Sequence, residues 1–204
     1  MATSAEQIAN LGLSLLGQYG SIESIETPVK PTEKVMAKWW ELARQTALKE
    51  LKPNFALARD NLAVDDTAPA FGYSYRYRKP ANSLAILGLD EIRKKKNVYT
   101  IEGDYILTDE YSGEEMPVRY VKDIEDITKF TPEMVYFMAF YLAYFGCMEI
   151  TEDIQKQAGL EQMLPSKKST ASALNGQENR PIRITRSKFK QARRYDVPSN
   201  NDKL

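Results

Sequence analysis

Apolar positions along this chain recur first at helical spacing. Ser4 is placed to cap a helix over about 4–16, with Ile8, Leu11 and Leu15 on one face and Gly17 as its stop. After a connection holding Gly20, Pro28 and Pro31, a stretch free of Gly and Pro predicts a second helix over about 33–51. Val35, Trp39, Leu42 and Leu51 form its expected apolar stripe, and Lys38, Glu41, Arg44, Gln45 and Lys49 its expected wet side. Trp39 and Trp40 point roughly 100° apart on such a helix, which predicts one in the core and one near the rim, both as packing residues.

Pro53 ends the helical pattern, and the period then changes. Residues 54–63 read as an extended exit segment, followed by the acidic loop Asp65-Asp66-Thr67-Ala68-Pro69. Phe71, Tyr73, Tyr75 and Tyr77 alternate with small or charged residues, which predicts a strand with one buried face. Arg78 to Asn82 is a turn signal and Leu84 to Leu89 a second strand. Asn97 to Val121 reads as a β-meander, with turns at Glu102-Gly103-Asp104 and Ser112-Gly113.

The most apolar stretch is Thr131 to Phe145. Thr131 can cap it, Pro132 suits its first position, and Glu133 complements its positive end. Beyond Glu133 no charged residue occurs until Glu149, and Phe137, Phe140, Tyr141 and Tyr144 fall around the helix rather than on one stripe. A helix apolar on every side has to be covered on every side, by its own fold or by a neighbouring subunit. Ending at Gly146, it is too short to span a membrane, which takes roughly 20 apolar residues. Thr151 then starts a last helix over about 152–164, with Ile154, Ala158 and Met163 on its apolar side. The pattern predicts an α+β fold: a bundle of about four helices with a small antiparallel β-meander or β-sandwich insertion over about 71–121. The core is expected to cover 1–165, and 166–204 to be an extended tail with an Asn175-Gly176 turn.

Charge changes this picture at the C-terminus. Residues 180–204 carry eight Lys/Arg against two Asp/Glu, a net of +6, which leaves 20 against 26 of the chain's 28 and 28 in 1–179, a net of −6. Arg180, Arg183, Arg186, Lys188, Lys190, Arg193 and Arg194 are interleaved with Ile182, Ile184, Phe189 and Tyr195. Phosphate binding alone could manage with the basic residues. Apolar residues among them favour a peptide that anchors in a protein groove, and is mobile until something holds it.

Chemistry is sparse. There is no histidine, which removes the Ser-His-Asp and Cys-His systems and the usual zinc sites. The single cysteine, Cys147, allows no internal disulfide and reads as an inert buried thiol. The N-terminus lacks the basic and apolar regions of a signal peptide, so synthesis in the cytoplasm is expected. Asp104, Asp109, Glu110, Glu114 and Glu115 are the one concentration of carboxylates, on turns where solvated charge is the ordinary outcome. No P-loop, GxGxxG, CxxC or nucleophile elbow occurs, so neither an enzyme nor a cofactor is expected.

An ordered set of short segments carries a resemblance. It comprises Ala9-Asn10-Leu11-Gly12-Leu13-Ser14-Leu15-Leu16-Gly17, then Ile22-Glu23-Ser24-Ile25, the helix through Trp39 to Leu51, and Pro53-Asn54-Phe55-Ala56-Leu57-Ala58-Arg59. Tyr73 to Asn82, Tyr120-Val121, Asn175-Gly176-Gln177-Glu178 and Ser187-Lys188-Phe189 with Ala192-Arg193 complete it. In this order the chain resembles the tail tubular protein A and head-to-tail adaptor (connector) family of short-tailed bacteriophages. Asn54 departs from the tryptophan common in the family, and Asn82 from its usual Asp. The resemblance implies a structural virion protein without catalysis or cofactor. Its subunits would form a dodecameric ring beneath the portal protein, joined below to a tail or nozzle protein, with double-stranded DNA passing through and no membrane contact. It also implies that Arg180, Ile182, Arg183, Ile184, Arg186, Phe189, Arg193, Arg194 and Tyr195 dock on the portal. Trp39, Trp40, Phe137, Phe140, Tyr141 and Tyr144 are then expected in the core or between subunits. A nucleic-acid-binding protein using 180–194 as an arm, and a cell-wall hydrolase using the turn carboxylates, are the alternatives.

Overall fold

The computed structural model describes residues 4–89, 99–111 and 115–177 and has an α+β fold. Helix α1 is Ala5–Leu15, and Ser4 and Gln7 cap each other's backbone in a capping box. It stops at Gly17 in the left-handed conformation, where the Gln18 N–H reaches back to the Leu13 carbonyl. Helix α2 is Pro31–Leu51, helix α3 Pro132–Thr151 and helix α4 Ile154–Gln177. Between α2 and α3 lie strands β1 (Leu57–Leu62), β2 (Tyr75–Arg78), β3 (Ser83–Leu89), β4 (Tyr99–Glu102), β5 (Tyr105–Thr108) and β6 (Met116–Lys122).

Helix α3 is the hub, with α1, α2 and α4 packed around it. It does not end at Gly146. That glycine is buried in the helix, and a Cβ there would lie 3.4 Å from Val35 Cγ1 of α2 and 3.4 Å from Ile150 Cδ1. The interior glycine, a local cost of about 1 kcal/mol, is the contact point of two helices. Gly12 serves α1 likewise, since a Cβ there would sit 3.2 Å from the Ala139 carbonyl oxygen. The helix ends five residues later than Gly146, where Glu152 turns left-handed and Thr151 Oγ1 bonds back to the Cys147 carbonyl at 2.8 Å. At 20 residues α3 is long and apolar enough, by length and composition alone, to cross a membrane, so the length argument falls. What characterises it here is burial against three other helices.

The expected antiparallel insertion takes the form of two three-stranded sheets instead of one meander, with strand orders β1-β6-β3 and β2-β5-β4. The β4–β5 hairpin forms as predicted around Gly103, but β6 leaves it and pairs between β1 and β3. The first sheet is apolar on both faces. Leu57, Ala85, Leu87 and Val121 pack on the helical core, whereas Leu62, Ile86, Leu89, Met116, Val118 and Tyr120 pack with Tyr77 and Ile106 of the second sheet. A strand buried on both faces reads as a continuous apolar run, as Leu84 to Leu87 does. The aromatic alternation starting at Phe71 is only partly strand: Tyr77 is buried, but Phe71 is 88% exposed on the loop before β2.

Helix α2 is turned from its expected phase. Its buried positions include Met36, Ala43, Arg44, Ala47, Leu48 and Leu51, and Leu42, assigned to the stripe, is 44% exposed. Its start is organised by Glu33, which is only 2% exposed. The Glu33 carboxylate accepts the N–H groups of Glu23 (3.0 Å), Lys30 (3.0 Å) and Val29 (2.9 Å), tying the preceding loop to the first turn. Those donors favour the charged form and hold the Glu33 pKa down at about 2, below its ordinary 4.5. The resulting stabilisation is complete above about pH 4.5 and is lost as pH falls through about 2. The urea midpoint of the unaltered protein is therefore expected to fall more steeply across that window than that of Glu33→Gln. Parallel slopes would show that the charge is not held.

Candidate assembly interface

Helical spacing gathers Tyr141, Tyr144, Phe145 and Met148 of α3 within an arc of roughly 100°. Their rings form a continuous ladder: Phe137 to Tyr141 at 5.2 Å, Tyr141 to Phe145 at 5.6 Å, and Phe145 to Tyr144 at 5.5 Å and to Trp39 at 5.7 Å. Phe137 and Phe140 are fully inside the bundle, whereas Tyr141, Tyr144 and Phe145 are half-buried and Met148 is 40% exposed. The outer turns of an all-apolar helix are thus left partly open. Lys38 and the Trp39 indole N–H both bond Glu149 Oε1, at 2.9 and 2.8 Å, and form a polar rim at the α2 side of this face. The Glu149 carboxyl is held below the usual carboxylate range by Lys38 and then by Trp39.

The tryptophan pair does not divide into core and rim. Trp39 and Trp40 are both half-buried against the bundle core. Cys147 is buried inside α3, with Thr151 Oγ1 3.4 Å from its sulfur. Of the turn carboxylates, Asp109 accepts the Ser74 N–H at 2.7 Å, Asp104 sits in the β4–β5 turn, and Glu114 lies outside the described residues. Among the described residues no group of three or more His, Cys, Asp or Glu is placed to hold a metal. Every member of the expected portal-docking set, Arg180 to Tyr195, lies outside the described residues.

Two polar clusters went unread in the sequence. Arg44, expected on the wet side of α2, is 2% exposed at the junction between the bundle and the first sheet. Its guanidinium pairs with Asp123, just beyond β6, with Glu41 at 2.5 Å and with the Ile124 carbonyl at 2.8 Å, while Gln45 donates to Asp123 at 2.9 Å. The second cluster joins the end of α4 to the end of α2. Residues 166–177, expected as extended tail, continue α4 straight through Pro165. Lys168 pairs with Glu50, Ala171 is buried, and Asn175 bonds Asn54 and Lys52. The Asn175-Gly176 dipeptide is therefore helical, not a turn.

No family model matches the chain, and no curated protein matches it in sequence.

The junction pair makes a direct prediction. Removing one partner of a buried ion pair costs about 3 kcal/mol when the other charge is left uncompensated, and about 2 kcal/mol here, because Arg44 keeps Glu41 and the Ile124 carbonyl. Asp123→Ala is expected to lower the unfolding free energy by about that amount, and Arg44→Met in the same chain to restore most of it. Equal loss in the single and double variants, by urea titration, would show that packing and not charge holds the junction.

Proposed function

We propose that this chain is a structural head-to-tail adaptor of a virion, forming a ring beneath the portal and linking it to the tail. The observation that carries the reading is the open face of α3. A helix apolar all round, with Tyr141, Tyr144, Phe145 and Met148 only partly covered by its own bundle, is suited to burial against a neighbouring copy. Subunits repeated head-to-tail close into a ring when one face complements a different face of the next subunit. The ordered segments described above support the same assignment, as does the division of charge. In this reading the acidic body, net −6 over 1–179, lines or approaches the DNA channel. Few phosphate contacts would be made there, and DNA would slide instead of binding. The basic segment from Arg180 to Tyr195 docks on the portal, with Ile182, Ile184, Phe189 and Tyr195 as apolar anchors. The opposite end meets the tail or nozzle protein. The protein then resides at the head–tail junction of the particle and, during assembly, in the host cytoplasm.

A second reading, a nucleic-acid-binding protein, is favoured by the same +6 segment. The two separate cleanly. Adaptor subunits mixed with the portal of their virus are expected to form a seated ring by electron microscopy. A chain ending at Asn179 is expected to stay folded and no longer join the portal. Salt-sensitive DNA binding lost with that truncation, and normal seating on the portal, would reverse the choice.

The open face can be tested separately. Met148→Glu places a charge on the exposed turn of α3, and is expected to leave helix content unchanged while abolishing the seated ring. Rings of normal stoichiometry with Met148→Glu would place the subunit contact elsewhere.

A further inference from the structure

We propose that the second half of α4, residues 166–177, is a strap that opens at Pro165 while the bundle stays folded, and that its opening extends the exposed face of α3 from Tyr144 to Phe140 and Tyr136. The strap stands on the bundle alone, whatever the protein joins.

Pro165 divides α4 into two pieces held by different means. It leaves the Glu161 carbonyl without the usual backbone donor four residues on. The first piece is anchored in the core by the buried Leu160 and by Leu164, packed against the same cluster. Along 166–176 the one buried side chain is Ala171, a single methyl. The other holds are polar and near the surface. Lys168 pairs with Glu50, their side chains 46% and 38% exposed, and such a pair adds little in water. Asn175 Oδ1 accepts the Asn54 backbone N–H at 3.0 Å, and the Asn175 carbonyl accepts Asn54 Nδ2 at 2.9 Å. Water can replace these partners once the strap lifts, so their net contribution is small. A helix of about 12 residues is itself marginal in water. Opening this piece therefore takes less than opening the core.

What the strap covers is a row of rings on α3. Tyr136, Phe140 and Tyr144 are spaced four apart and share one side of the helix. The Tyr136 and Phe140 rings meet edge to face at 5.5 Å, and Lys167 Nζ lies 5.4 Å from the first and 5.8 Å from the second. Phe140 is 1% exposed, whereas Tyr144, one turn on, is half-buried at the open face. Lifting the strap takes Lys167 off both rings. The open face then runs along most of α3 instead of its last turns.

Hydrogen exchange of the full chain in sub-denaturing urea tests the strap. Amides of 166–177 are expected to exchange through an opening almost insensitive to urea, and those of 158–164 with the urea dependence of α3. The same steep dependence on both sides of Pro165 overturns the strap. Thr170→Pro holds the strap open, since proline breaks a helix interior. It is expected to abolish protection over 166–177 and to leave 158–164 and α3 as protected as before. Loss of protection in all three overturns independent opening. Hydroxyl-radical labelling of the same variant reads the uncovered face. Phe140 is expected to react at least tenfold faster than in the unaltered chain, and Leu142, which faces Gly12 of α1, to react no faster. Unchanged Phe140 labelling with the strap open overturns the extension of the face.

Discussion

The structure depends on covering one helix. Helix α3 has apolar or aromatic side chains on every side, and water is a poor neighbour for all of them. Three helices surround it, and close approach is possible because Gly12 of α1 and Gly146 of α3 itself lack side chains at the contact points. Where the bundle does not close, at Tyr141, Tyr144, Phe145 and Met148, the same requirement remains unmet by the described residues. The candidate assembly surface is therefore the part of the core that the described residues leave open, and its burial by another copy would draw on the driving force that folds the bundle.

The β region follows from a second constraint. A sheet apolar on both faces needs two layers of cover, and β1-β6-β3 has the bundle on one face and β2-β5-β4 on the other. This explains why β6 abandons the hairpin that precedes it. Pairing beside β5 would leave Val121 without the helical core, whereas the place between β1 and β3 buries Val121 on one face and Val118 and Tyr120 on the other. At the join, the buried guanidinium of Arg44 on α2 pairs with Asp123 at the exit of β6, so a charged contact sits there among the apolar ones.

Much of this was legible residue by residue. Ser4, Gly17 and Thr131 mark element ends, and each does so through groups only three to five residues away. The β4–β5 hairpin is likewise written in Tyr99 to Thr108. Arg44 and the Asn54–Asn175 pair were not legible. A guanidinium at a helix position reads as solvated unless its acceptor is known, and Asp123 lies 79 positions away. Asn175-Gly176 reads as a turn until Asn54, 121 positions earlier, is brought beside it. The expected stop at Gly146 failed for a related reason, because a glycine can mark an end or a contact and only the neighbouring helix distinguishes them.

By itself the sequence determined the kinds of element, their order, the apolar excess of α3 and the separation of acidic body from basic segment. Those properties arise from local periodicity, capping and composition, which need no partner. Only the tertiary structure decided which strands pair, how α2 is rotated, where α3 and α4 end and which face of α3 stays open. Each of these is a choice among distant partners, governed by which combination buries apolar surface on all sides and leaves buried polar groups satisfied.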